Sequence, residues 1–163
     1  MTSGGRIHVT SAAQRTAQIR HRQRPHSFIS KAPVPSLYRQ LHGEAQALLE
    51  RQDYSLAVVV AQTAAEVAVE QAIILLVARR GVPELAEPLS NVRNNATSAA
   101  LYIALSGQAD KAEKALGAVR THAEVRNGVV HKGKRATQKQ AEASLKAVGS
   151  LLDSIEAVLS SPA

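Results

Sequence analysis

The chain has 163 residues, 45% of them apolar but only 2% aromatic, with no cysteine and a net charge of +7. That length buries a core without covalent staples. The shortage of aromatics beside abundant Ala, Val and Leu disfavours a β-sandwich, and the lack of cysteine excludes a disulfide framework and a thiolate zinc site. The charge is polarised: residues 1–43 carry seven Lys or Arg and no acid, whereas residues 44–163 carry thirteen of each sign. The N-terminus lacks an apolar run of secretory type, so a cytoplasmic protein is expected.

Residues 1–35 show no sustained periodicity and end in the proline-rich stretch "APVP". They read as a flexible basic arm and linker. Arg20, Arg22 and Arg24 concentrate its charge, and such an arm gains affinity for nucleic acid by releasing counterions. A solubility tail or a targeting relic has the same composition. No aromatic side chains interleave the arginines, so base stacking is not indicated.

From residue 36 onward the pattern is helical. Ser36 is placed to cap a first helix, "LYRQLHGEAQALLERQ", with Leu37, Leu41, Ala45, Leu48 and Leu49 on its inner side. Asp53 is placed to cap a second, from Tyr54 to a stop at Gly81 and Pro83. This segment is apolar nearly all round, as a central buried helix is. A membrane span is the competing assignment, but Glu66 and Glu70 sit mid-segment, and each would cost about 2.5–3.5 kcal/mol there. Residues 83–95, with two prolines and three asparagines, read as a broken connection. A third helix is predicted over about 96–105 and a long fourth from about Asp110 through "VRNGVV". The loop "HKGKRA" follows, and Thr137 is placed to cap a final helix with Ala141, Leu145, Val148, Leu152, Ile155 and Leu159 on one face. Nothing strand-like competes, and the expectation for residues 36–160 is an all-α bundle of four to five helices.

The chemistry-bearing stretch is "EVRNGVVHKGKR", residues 124–135. The Arg126 guanidinium is permanently charged and binds phosphate oxygens with two prongs. The His131 imidazole titrates near neutrality and can move protons. Together they can split RNA without a metal: one group handles the proton of the 2′-OH or of the leaving oxygen, and the other stabilises charge on phosphorus. Asn127 can hold a phosphate oxygen or fix the histidine tautomer, while Lys132, Lys134 and Arg135 form a positive rim. Five residues on an α-helix separate two side chains by about 140°. The pair therefore converges only if the helix ends and the chain turns before His131, as Gly128 and Gly133 permit, or if a second copy completes the site. Basic residues at a helix C-terminus are also simply favourable, by about 0.3–1 kcal/mol each.

The segment "VRNGVVHKG", followed by a capped amphipathic helix, resembles the signature of the HEPN superfamily (higher eukaryotes and prokaryotes nucleotide-binding): Arg, four to six residues, then His, often with a polar residue directly after the Arg. Arg126, Asn127 and His131 match it, and "AQTAAEVAVEQAIILLV" is similar to the family's apolar second helix with an embedded Glu, here Glu66. The resemblance covers about residues 36–160. It implies a helical bundle that dimerises and places two Arg–His sets in a shared cleft. Many relatives are metal-independent ribonucleases of toxin–antitoxin and antiviral defence systems, and others are inactive binding or scaffold modules. Some two-component toxins carry a Tyr two residues after the His, modified by a partner nucleotidyltransferase. Gly133 stands there in this chain.

The expectation is thus a cytoplasmic, metal-independent endoribonuclease acting on RNA as a homodimer, without cofactor or membrane attachment. An antitoxin or other co-encoded protein is a possible partner. The alternatives are an inactive module that binds nucleotide or RNA or mediates dimer or partner contacts, and a tethering protein that works through its arm. Glu66 is expected to reach Arg126 or His131 and orient it; otherwise Glu66 and Glu70 face solvent, pair locally or line a dimer seam. The helical Glu-x-x-His pattern of di-metal sites is missing around them. His122 shares a face with Arg126, His42 reads as surface, and His8, His21 and His26 lie in the arm. Arg93, Asn94 and Asn95 are candidates for the border of the site.

Overall fold

The computed structural model describes residues 36–90 and 95–161. The expected arm, with Arg20, Arg22 and Arg24, lies outside the described residues. The elements are α1 (Leu37–Glu50), α2 (Tyr54–Arg79), a 3₁₀ turn (Pro83–Leu85), α3 (Ala86–Ser90), α4 (Asn95–Ser106), α5 (Ala109–Lys132) and α6 (Gln138–Ser160). No strand occurs among the described residues, and the all-α expectation holds.

Asp53 starts the helix around which the others are arranged. Its carboxylate accepts from the Leu56 N–H at 3.3 Å, satisfying one of the four donors a helix leaves open at its start. α2 is long and apolar enough to cross a membrane, with a mean hydropathy of 1.6 over its richest window, but half of that window is buried in the fold. It packs against α1, α3, α4, α5 and α6. Ala57, Ala61, Ala64, Ala68 and Ala72 are wholly buried along it. Gln62, the buried polar residue in this run, donates through Nε2 to the Val119 carbonyl at 3.3 Å and ties α2 to α5.

The C-terminus of α2 serves two other helices. Arg79 donates to the Leu159 and Ser161 carbonyls at the end of α6. Arg80 donates to the Leu105 carbonyl at the end of α4 at 2.7 Å. Each guanidinium meets open carbonyls at the negative end of a helix dipole. Gly81 then turns the chain with φ at +75°.

α1 is clamped to α6 by Arg39, which donates to both carboxylate oxygens of Glu156, at 2.8 and 2.6 Å, and to Asp153 at 2.6 Å. The hydrogen bond from Arg39 holds the Glu156 carboxyl below its ordinary range, and the Glu156 carboxylate in turn raises Arg39. His42 is half-buried rather than a plain surface residue: Nε2 lies 3.1 Å from the Leu145 carbonyl of α6. Its ring covers Gly149, where a Cβ would come within 3.4 Å of it.

α6 begins with the expected cap. Thr137 Oγ1 accepts from the Gln140 N–H and the Gln140 side chain accepts from the Thr137 N–H, a closed capping box. The described residues form six α-helices rather than four or five, and three boundaries differ from expectation, one being α5, which runs two residues into the supposed loop, to Lys132. Ser36 stands at the cap position of α1 without a side-chain capping bond. The supposed broken connection contains a 3₁₀ turn and α3, because Pro83 sits in a first turn, where a missing N–H is harmless.

Candidate functional site at the C-terminus of α5

α5 runs unbroken through Asn127, Gly128 and His131 to Lys132. Gly128 stays helical and buried, and Val125 and Val129 continue the half-buried side of α5 on either side of it. That packing outweighs the cost of about 1 kcal/mol that a glycine brings to a helix interior. The turn comes later, at Gly133, whose φ is 61°. The N–H of Lys134 then folds back onto the Gly128 carbonyl at 3.0 Å. His131 is therefore in the last turn of the helix, and within one chain its Cα–Cβ direction lies about 140° from that of Arg126.

The side chains narrow this separation. Arg126 Nη1 donates to Asn127 Oδ1 at 3.2 Å. Asn127 is four residues before His131 and only about 40° from it around the axis. The guanidinium, rooted on a half-buried flank, is thereby turned toward the flank that carries the imidazole. Arg120, Glu124, Asn127 and His131 are all exposed and fall within an arc of about 60° on the helix surface. Arg126 Nε is buried without a hydrogen-bond partner among the described residues.

Two hollows flank this stripe. One, of about 510 Å³, is lined by Glu124, Val125, Asn127, Gly128, Val129, Lys132, Lys134, Arg135 and Gln140. All three predicted cations of the rim thus share one concavity with Asn127. The other, of about 550 Å³, lies between α2 and α5 beneath α4, with Gln62, Glu66 and Glu70 from α2 facing Arg120 and Ala123 of α5. Glu66 belongs to this second cleft, and neither Arg126 nor His131 lines it. The charged α5 residue that shares the cleft with Glu66 is Arg120.

His122 is half-buried on the Arg126 flank. Arg93 and Asn94 lie outside the described residues, and Asn95 opens α4. Sequence reasoning passed over Arg120 and Gln140. Arg120 had a signal, since it stands seven residues before Asn127 and so shares its face. Gln140 had one as the third residue of a Thr-x-x-Gln cap.

No family model matches this chain, and no curated protein or solved structure matches it either. Fold and site together define a class: an all-α bundle that presents Arg, Asn and His on the last turns of a helix, beside a cationic loop.

Proposed function

We propose that this protein is a metal-independent endoribonuclease of the HEPN type, working as a homodimer in which the α5 stripes of two copies face each other. The observation that carries the reading is the Arg126–Asn127 hydrogen bond, which ties a guanidinium to the side chain one helical turn before His131. In the reaction the 2′-oxygen of the substrate bonds to phosphorus while the bond from phosphorus to O5′ breaks. A His131 imidazole accepts the 2′-OH proton, and an imidazolium, from the second copy, delivers a proton to O5′. Arg126 stabilises the charge on the non-bridging oxygens, and Asn127 holds the guanidinium at its post. The products are a 2′,3′-cyclic phosphate and a 5′-hydroxyl. Glu66 acts at one remove, from the neighbouring cleft that it lines together with Arg120. Such an enzyme belongs to toxin or defence systems, acts in the cytoplasm and needs a restraining partner protein.

The test is incubation of the purified protein with mixed RNA in EDTA, beside Arg126→Ala and His131→Ala. Cutting that stops in both variants supports the reading, and cutting that persists in both refutes it. A second reading, a catalytically silent module that binds RNA or nucleotide, is favoured by the unbroken helix between Arg126 and His131. Retention of RNA without any cleavage by the wild-type chain would select it.

A further inference from the structure

The hollow at the end of α5 differs from an ordinary scatter of surface lysines because its walls are fixed. Lys132 is the last residue of α5, Lys134 and Arg135 occupy the loop, and Gln140 is in the first turn of α6. That loop is pinned at three places. The Lys134 N–H is bonded to the Gly128 carbonyl at 3.0 Å, and the Lys134 stem lies over Gly128, with Cδ 3.5 Å from where a Cβ would stand. The Ala136 N–H donates to Ser55 Oγ of α2 at 3.0 Å. The capping box of Thr137 and Gln140 closes the far side. Two cations on a short pinned loop, beside a third on the last residue of a helix, lose little backbone freedom when they bind.

The charge of the hollow is one-sided, with Lys132, Lys134 and Arg135 against Glu124 alone. Its volume of about 510 Å³ falls in the usual range for a bound small organic group, about 300–1,000 Å³, and exceeds what a single phosphate needs. Asn127 belongs both to the hollow and to the Arg126 pair. A chain whose scissile phosphate is held by Arg126 therefore meets this hollow with a neighbouring part of its backbone.

We infer that the hollow bounded by Lys132, Lys134, Arg135 and Gln140 is a subsite for the phosphate, with its sugar, that adjoins the scissile phosphate in single-stranded RNA. The location of the scissile phosphate rests on the ribonuclease reading, while the anion site itself does not. The substrate class follows: a strand with a phosphate on both sides of a nucleoside, so that a dinucleoside monophosphate is a poor ligand and one bearing an added terminal phosphate is a good one.

The experiment uses all-deoxy ligands, which lack the 2′-OH and are not cut. Binding of d(UpA) by the full chain is compared with its 5′-phosphorylated and 3′-phosphorylated forms by isothermal titration at low salt. Addition of a phosphate at one end should tighten binding by about tenfold, and the end that responds identifies the side of the subsite. The double variant Lys134→Gln, Arg135→Gln should reduce that gain to under about twofold. Both residues are exposed, so the fold is not at stake. A control with Lys139→Gln and Lys146→Gln removes the same charge from exposed positions of α6 outside the hollow and should leave the gain intact. Equal gains in wild type and the first variant, no gain at either end, or an equal loss in the control would overturn the subsite. Failure of RNA cleavage with the phosphate gain intact would remove the ribonuclease reading and leave the subsite standing.

Discussion

Arg126 Nη1 donates to Asn127 Oδ1 at 3.2 Å, and this bond between sequence neighbours leans a guanidinium toward the flank of α5 that carries His131. Asn127→Ala removes the acceptor and frees the guanidinium to leave the stripe. On the ribonuclease reading the expected loss in kcat is on the order of 10²-fold, the scale of a small misplacement. Asn127→Asp keeps an acceptor at Oδ1 and should retain most of the activity. Steady-state cleavage of a fluorogenic RNA measures both, and equal activity in all three proteins would deny Asn127 its role.

His131→Ala should lower kcat by about 10²–10⁴-fold with an unchanged melting temperature, because the side chain is exposed. A mixing experiment asks where the second group comes from. The reaction proposed above needs the His131 of both copies, so co-refolded Arg126→Ala and His131→Ala chains stay inactive on it; recovery of roughly a quarter of the wild-type rate would instead mean that one Arg126 and one His131, from opposite copies, make a complete site. A wild-type chain co-refolded with His131→Ala separates the other two cases: the mixed dimer is dead if both histidines are needed and half-active if each chain works alone.

Gly133 holds the last turn of α5 closed with φ at 61°, a conformation that costs a residue with a Cβ roughly 1–2 kcal/mol. Gly133→Ala should lower the melting temperature by about 2–4 °C for each kcal/mol of destabilisation, and should loosen His131 and the cationic loop with it. Gly43, helical and with open space around it, should respond oppositely: Gly43→Ala adds roughly 0.5–1 kcal/mol. Differential scanning calorimetry of the two variants checks the contrast in sign.

The clamp between α1 and α6 predicts a pH dependence. Glu156 is held below its ordinary value of about 4.5 by Arg39. Its folded form thus binds its proton less readily than its unfolded form, so the stabilisation is complete above that ordinary value and disappears as pH falls through the lowered one. Asp153, 74% exposed in its side chain, adds little. Arg39→Gln should flatten the acid limb of a urea-midpoint curve below about pH 4.5 and leave the neutral region with a uniform offset.

The basic arm makes its own prediction. Removal of residues 1–35 takes away Arg6, Arg15, Arg20, Arg22, Arg24 and Lys31. If these bind single-stranded RNA, the slope of log affinity against log salt should become shallower by about 0.7 for each phosphate that the arm neutralises. An unchanged slope would make the arm a bystander.

Much of the architecture could be read from local chemistry. Asp53 and Thr137 cap the helices they were expected to cap, and the apolar run after Tyr54 is the central helix, because both signals depend on a few adjacent residues. What escaped depended on distant ones. Gly128 and Gly133 looked equally able to turn the chain, and only the packing of Val125 and Val129 keeps the first helical. His42 looked like surface because its cover, Leu145 and Gly149, lies a hundred residues away. Arg126, Asn127 and His131 stood out by residue type, but their relative directions required the exact end of α5. That Glu66 and Arg120 line one cleft required the pairing of α2 with α5.

Ala57, Ala61, Ala64, Ala68 and Ala72 have no exposed surface along α2. A methyl group is the shortest spacer a side chain offers, so neighbouring helices rest almost on the α2 backbone and their depth is set by what is missing rather than by what is present. Enlarging one of these methyls would lever a whole neighbouring rod outward, and α5 is among those neighbours. The alignment of a candidate active site is thus held by the least reactive residues in the chain, at positions no chemical survey would inspect.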